Sequence, residues 1–271
     1  MSKILAVDLD GTLFDDNKNI TKDNLEALVD FLDRGNVLCV DTGRPIHVLR
    51  NILKDIPLFF RDNVYLLGYQ GTIGVRSIDN EMLFGQYLDN EPAIKLLKYS
   101  KDAGYSTLAF EYGKIYSFRQ DECIDRYSAV SKEPITIIDE PEYLMGHDLT
   151  KIIVMDYVHP DSLFDFQAKH EEEMSSHFAS MFSNVAFLEY INKESSKGAG
   201  LKKLAELLGV SMADTIACGD ERNDISMVEA AGIGVAVANA RPELKEVADY
   251  ITSADNNHDA VAEVIREFVA N

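Results

Sequence analysis

The chain carries short, continuous apolar runs that end abruptly in polar residues. Residues 4–7, 37–40, 64–67, 215–218 and 232–237 are of this kind. Their lack of alternation marks strands buried on both faces, as parallel sheets require. Between them the period becomes helical. Asn24, Leu25, Leu28, Val29 and Leu32 share one face of a helix that Thr21 caps and Gly35 stops. Pro45 opens a second helix running to Leu53, well suited to a first helical turn. Lys197 opens a third that Gly209 stops, and residues 258–269 form a closing helix. Strand and helix in alternation predict an α/β fold, a Rossmann-like doubly wound parallel sheet.

From residue 82 to 186 the pattern differs. Strand-like pieces at 82–87, 106–110, 115–118, 151–155 and 179–182 alternate with helical ones at 91–102, 121–129 and 161–176. Tyr112-Gly113 reads as a hairpin turn. Leu163, Phe166, His170 and Met174 fall on one helix face, which makes His170 a core or boundary residue rather than a ligand. This is an α+β module inserted into the larger fold, and residues 184–191 return the chain to the core.

The strand exits carry the chemistry. Asp8-Leu9-Asp10-Gly11-Thr12 follows the first run directly, at the end of the sheet where α/β proteins bind ligands. Two carboxylates so close need a cation, a shared proton or both. Three readings compete for them: an Asp-Gly turn, a hard-oxygen metal site, or a nucleophile with its proton donor. Asp41-Thr42-Gly43-Arg44 follows the second run; Thr42 offers a hydroxyl and Gly43 lets backbone approach a ligand, although Thr-Gly is also an ordinary strand-to-helix turn. Lys197 opens a helix against its macrodipole, which points to a nearby anion. Gly219-Asp220 ends the run at 215–218, and Asn223 and Asp224 after it are strong helix caps as well as candidate ligands.

These four segments, in this order, resemble the motifs of the haloacid dehalogenase-like phosphatases over essentially the whole chain. Gln70 departs from the Asn-Gly common in that family, and Asp41 stands where many members have a small residue. At Asp41 the sequence allows two readings, added negative charge near the site or a cap for the following helix. An insertion between the second and third motifs resembles the type IIB cap of the Cof-type subfamily. That implies a catalytic core at 1–81 and 187–271, and at 82–186 a cap domain that closes over the substrate and selects it. The resemblance implies a Mg²⁺-dependent phosphohydrolase working through an aspartyl-phosphate on small phosphorylated metabolites. Asp8 would be nucleophile and Asp10 acid and base; Asp8, Asp220 and the Asp10 carbonyl would hold Mg²⁺. Thr42, Gly43, Lys197 and Asn223 would hold phosphate. Asp224 would order Lys197 or a metal-bound water, and Arg44 would reach the substrate or pair with Asp41. A phosphosugar mutase and a non-catalytic phospho-ligand binding protein are the alternatives. Tyr112, Tyr116, Arg119 and Arg126 are cap candidates for substrate contact, each more simply read as a surface residue.

Charge narrows the partners. The formal net charge is −20 over 271 residues, which leaves no basic face for nucleic acid or an anionic membrane. It also means that an anionic substrate needs a locally positive site, from a divalent metal, Lys197 and helix N-termini. The three cysteines show no paired spacing, no apolar run nears membrane-spanning length and the N-terminus has no signal pattern, so the expected location is cytoplasmic. Nothing in the pattern encodes an oligomeric state.

Overall fold

The computed structural model describes residues 2–269, so the outer limits expected for the core, 1 and 271, lie outside the described residues. In chain order the elements are β1 (Ile4–Val7), α1 (Lys22–Asp33), β2 (Val37–Asp41), α2 (Ile46–Leu53), β3 (Val64–Gly68), β4 (Ile73–Arg76) and β5 (Met82–Gly85). Next come α3 (Asn90–Asp102), β6 (Ser106–Glu111), β7 (Lys114–Ser117), α4 (Glu122–Ser131), β8 (Ile135–Ile137), β9 (Leu149–Met155), α5 (Ser162–Met174), β10 (Phe178–Asn184) and β11 (Phe187–Asn192). The chain ends with α6 (Lys197–Leu208), β12 (Thr215–Gly219), α7 (Ile225–Ala230), β13 (Ile233–Ala236), α8 (Pro242–Val247), β14 (Tyr250–Ile251) and α9 (Ala260–Phe268).

The chain divides into two compact units, one running to Gly85 and resuming at Ser195, the other Gln86–Glu194. The first is built on a sheet of order β14-β13-β12-β1-β2-β3-β4-β5, parallel from β14 through β3 and antiparallel at β4 and β5. Strand order reverses at β1, which is the switch point of a doubly wound sheet. Every residue of β1 is wholly buried, because helices cover both faces. Ile4 and Ala6 pack with Cys39, Ala217 and, from α6, Leu201, Leu204 and Ala205.

On the other side α1 and α9 lie together. Thr21 stands at the start of α1, but among the described residues its buried hydroxyl has no hydrogen-bond partner, contrary to the capping role expected of it. Asn24 does a capping job instead, for another helix. Its Oδ1 accepts the Ala262 amide at 2.8 Å in the first turn of α9. The α9 N-cap, Asp259, makes no side-chain cap bond of its own.

The second unit is a sheet of order β10-β11-β9-β6-β7-β8, antiparallel except at β7–β8. Leu96 and Leu97 of α3 and Leu163 and Phe166 of α5 pack on Ala109, Ile152, Val154 and Leu188. His170 is buried to 9% exposure and stacks on Tyr99 at 4.2 Å between ring centres.

The boundaries expected at 82 and 186 move. β5 pairs with β4 at the edge of the first sheet, so residues 82–85 belong to the core. β11 pairs with β9 and β10, so residues 187–192 stay in the second unit rather than returning to the core. A short strand at a junction does not show by its residues alone which sheet it joins.

Because Asn24 satisfies an otherwise orphaned amide at a buried helix start, Asn24→Ala is expected to lower stability by about 1–3 kcal/mol. Urea unfolding followed by far-UV circular dichroism measures the loss, and an unchanged midpoint would remove the capping role.

Candidate active site

β1 delivers Asp8 to the end of the sheet, where the Asp8 amide donates to Cys218 O at 3.0 Å and continues the pairing with β12. The chain then turns: the Leu13 amide bonds Asp8 O and the Phe14 amide bonds Leu9 O. Gly11, at φ +87, makes this turn possible, and a Cβ there would lie 2.5 Å from Asp220 Oδ2. Thr12 Oγ1 donates to Asp220 Oδ1 at 2.9 Å, and Asn239 Nδ2 donates to Gly11 O at 2.8 Å. The first and last motifs are thus fastened together through side chains.

Lys197, the first residue of α6, is 1% exposed. Its Nζ donates to Asp8 Oδ1 at 2.5 Å and Asp224 Oδ1 at 2.6 Å. The anion that its helix position called for is therefore supplied by the protein itself. The other Asp224 oxygen accepts the Asp220 and Glu221 amides, each at 2.9 Å. Asp224 is thus spent on Lys197 and on the turn after β12.

One oxygen from each of Asp8, Asp220 and Asp224 lies within 4.8 Å of the others. This hard-oxygen set fits a divalent cation. Since both Asp224 oxygens are already engaged, Asp8 and Asp220 are the pair with oxygens to offer. Burial pushes the Asp8 carboxyl up; Lys197 opposes this, but the neighbouring Asp224 and Asp220 add to it. Burial likewise lifts Asp220 to about 6, with Thr12 opposing and Asp224 and Glu221 reinforcing. Carboxyls lifted in this way are short of positive charge.

Asp10 behaves differently. Arg44 grips it through two nitrogens, at 2.7 and 3.0 Å, and Lys18 Nζ lies 2.9 Å away. Burial raises the Asp10 carboxyl, but the hydrogen bonds from Arg44 and Lys18 outweigh it and the net shift is downward. Arg44 therefore pairs with Asp10 and not with Asp41. Lys18 was not among the sequence candidates; nothing in a polar loop singles out one lysine for a partner eight residues earlier.

Asp41 is fully buried on β2, and among the described residues neither of its oxygens has a hydrogen-bond partner. Burial raises its carboxyl well above the usual range, Lys197 opposing and Asp224 and Asp8 adding. It caps nothing, since α2 begins at Pro45 without a side-chain bond. Its burial favours the neutral acid over the added charge that sequence allowed.

Thr42 is buried, with its hydroxyl accepting the Arg44 amide at 3.3 Å. Asn223 is exposed and donates to Gln70 Oε1 at 2.9 Å. A cavity of about 310 Å³ is lined by Asp8, Asp10, Thr42, Gly43, Arg44, Glu221 and Asn223. Of the candidates in the motif segments, Lys197, Asp220 and Asp224 lie outside that lining, Lys197 bonded to Asp8 and Asp224 and Asp220 to Thr12.

In the second unit the cap candidates diverge. Tyr116 is buried and donates to Glu111 at 2.8 Å. Arg119 lies 3.9 Å from Asp121. Arg126 sits over the Tyr157 ring, 4.3 Å from its centre, and lines a cavity of about 480 Å³ with Cys123, Asp156 and His159. Cys39, Cys123 and Cys218 are all free thiols.

Paired aspartates stand at the switch point of a doubly wound sheet, backed by a buried lysine and a further acidic pair. The chain belongs to the haloacid dehalogenase-like hydrolases, whose family model matches residues 5–265. It is an enzyme of the phosphatase type within that family. YxeH of Bacillus subtilis (strain 168) is 30% identical over 274 residues, with 99% of each chain covered. YitU of the same organism, named a 5-amino-6-(5-phospho-D-ribitylamino)uracil phosphatase, is 27% identical over 283 residues, covering 98% of this chain and 97% of YitU. The crystal structure of TM0651 from Thermotoga maritima matches with a TM-score of 0.87 at 25% identity, covering 100% of this chain and 99% of that one. Hydrolases of this family generally use a divalent metal ion. No helix among the described residues is long and apolar enough to cross a membrane.

The lifted Asp220 carboxyl fixes the sign of a pH effect. Its folded pKa, about 6, exceeds the 3.8 of the unfolded chain. Its contribution to stability is fully present below 3.8 and is lost as pH rises through about 6. For metal-free protein, Asp220→Asn is therefore expected to raise the melting temperature relative to the parent more at pH 8 than at pH 4. Scanning calorimetry in excess chelator checks this, and equal shifts at both pH values would contradict it.

Proposed function

We propose that the protein is a Mg²⁺-dependent phosphohydrolase that cleaves phosphomonoesters of small metabolites through an aspartyl-phosphate on Asp8. The observation that carries the reading is the buried Lys197, held between Asp8 and Asp224 at the mouth of the parallel sheet. It leaves one Asp8 oxygen for chemistry while fixing the direction of the other.

Asp8 attacks phosphorus as the bond to the ester oxygen breaks, and Asp10 gives a proton to the departing alcohol. Water then attacks the phosphorus of the acyl phosphate. Asp10 takes the water proton, the bond from phosphorus to Asp8 breaks, and inorganic phosphate leaves. Asp8, Asp220 and the Asp10 carbonyl would hold Mg²⁺, which would supply charge neutralisation for the phosphoryl group. Thr42, the Gly43 amide, Lys197 and Asn223 hold the phosphate oxygens.

Asp10 must carry a proton for the first step, and its ion pairs with Arg44 and Lys18 oppose that. Both cations are partly exposed, 37% and 58% at the side chain, so exchanging partners costs them little. An arriving phosphate dianion draws Arg44 and Lys18 off Asp10, and Asp10 then takes up the proton it needs. Arg44 in this way reaches the substrate by leaving Asp10. YitU acts, by its name, on a phosphorylated sugar-alcohol side chain, which supports sugar- or cofactor-like phosphates as the class to test. Gln86–Glu194 is the cap domain in this reading and chooses among them.

Phosphate release from a panel of phosphorylated metabolites, with Mg²⁺ and with excess chelator, tests the proposal. Asp8→Asn is expected to cut turnover by roughly three orders of magnitude or more. Asp10→Asn should cut it by about 10²–10⁴-fold while binding of a phosphate analogue survives. An Asp8→Asn enzyme of near-parental activity would remove the covalent route, and substrate consumption without free phosphate would favour a mutase.

A further inference from the structure

The loop after β3 is tied to the site more tightly than a connection needs to be. Tyr69, Gln70 and Gly71 take φ values of +52, +61 and +78 in succession, the left-handed region that only glycine enters freely. Two of the three carry side chains. Such strain persists only where surroundings impose it, and it gathers at functional positions.

The surroundings here are two of the motif segments. The Tyr69 amide donates to Arg44 O and the Gln70 amide to Thr42 O, both at 3.1 Å. On the other flank a Cβ at Gly71 would lie 2.4 Å from Ser196 O, directly before Lys197. Tyr69 is 2% exposed, and Thr72 Oγ1 donates to Tyr69 O at 2.6 Å. The loop is thus clamped between residues 42–44 and 196–197, and what it presents is the Gln70 side chain.

That side chain lies across the cradle. Its Oε1 accepts from Asn223 Nδ2 at 2.9 Å. Its Nε2 lies so close to Gly43 that a Cβ there would be 2.7 Å away. With the carbonyl end occupied by Asn223, the amide donors face the space over Gly43. Gly43 and Asn223 are the two outer phosphate ligands of the proposed function, and Gln70 spans them.

We infer that Gln70 is a further phosphate-binding residue, whose Nε2 donates to a phosphate oxygen seated over Gly43 while its Oε1 aligns Asn223. The inference rests on the phosphohydrolase reading of the same site. It gives the strained backbone a purpose: an extended β3 exit would carry residue 70 away from the cradle, and a left-handed one holds it across. A Cβ at residue 43 would have to displace the donor from this position.

Two substitutions separate binding from folding. Gln70→Glu keeps the length and the acceptor for Asn223 but replaces the donor with negative charge. Gln70→Gly removes the donor and accepts the positive φ without strain, so it is expected to melt no lower than the parent. Loss of one hydrogen bond to a charged phosphate is worth about tenfold or more in affinity. In both variants KM for the best phosphomonoester and the inhibition constant of inorganic phosphate should rise together by about that factor, while kcat changes less than about threefold. Parental values of both constants in a well-folded Gln70→Gly enzyme would overturn the inference and leave the phosphohydrolase reading intact. A fall in kcat and melting temperature with the phosphate constant unchanged would make Gln70 structural and likewise overturn it. Absence of phosphate release by the parent itself overturns the phosphohydrolase reading, and the inference with it.

Discussion

A single buried ammonium organises this site. Lys197 is out of reach of water, and an isolated charge there would cost several kcal/mol. Asp8 and Asp224 offset that cost, and removing either would leave the others uncompensated, typically a loss of about 3–5 kcal/mol. Because the three residues lie at the exit of β1, the start of α6 and the turn after β12, their pairing fixes three segments distant in sequence. Asp224 then passes the constraint on: its second oxygen holds the Asp220 and Glu221 amides, so the turn that presents Asp220 is set by the same ion cluster. The site is pre-organised by charge neutralisation rather than by loop stiffness.

That arrangement also explains how so acidic a protein can accept an anion. The chain carries a net −20, and around the cavity carboxylates still outnumber cations. Lys197 is already neutralised by its partners, and Arg44 and Lys18 are both engaged by Asp10, which cancels one of their two charges. Positive potential for a phosphate must therefore come from groups that are released or added. In the proposed reaction the release of Arg44 and Lys18 from Asp10 would supply some. A divalent cation held by Asp8 and Asp220 would, in the same reaction, supply the rest.

How much of this was legible in the sequence follows from what each feature depends on. β1, β2 and β12 were legible because strands buried on both faces must be apolar throughout, and Asp8 and Asp220 because they end such runs. Lys197 was legible as a charge in the wrong place for a bare helix. β4 was not, since Ile73–Arg76 is too short to stand out, and Met82–Gly85 reads as a strand without saying which sheet it joins. The grip of Arg44 on Asp10 and of Asn223 on Gln70 was hidden for another reason. Those pairs are separated by 34 and 153 residues and exist only once the strands are in register. Thr21 differs from expectation because residue type at a helix start does not fix whether the hydroxyl turns to the first-turn amides.

Asp41 shows how finely the charge is balanced. β1 and β2 pair with Val7 opposite Val40, and β1 and β12 with Val7 opposite Cys218. The next residues along, Asp41, Asp8 and Gly219, therefore stand abreast on the face that α6 covers. Gly219 belongs in that row because a Cβ there would lie 2.4 Å from Asp224 Cβ, so its absence makes room for the second carboxylate of Lys197. Were Asp41 also ionised, one ammonium would face three buried carboxylates with no water to help. Burial instead favours the neutral acid at Asp41, and Lys197 keeps a ratio that its single charge can sustain. A carboxyl is tolerated in the row because it can decline to be a charge, which a buried lysine flanked by ionised partners cannot.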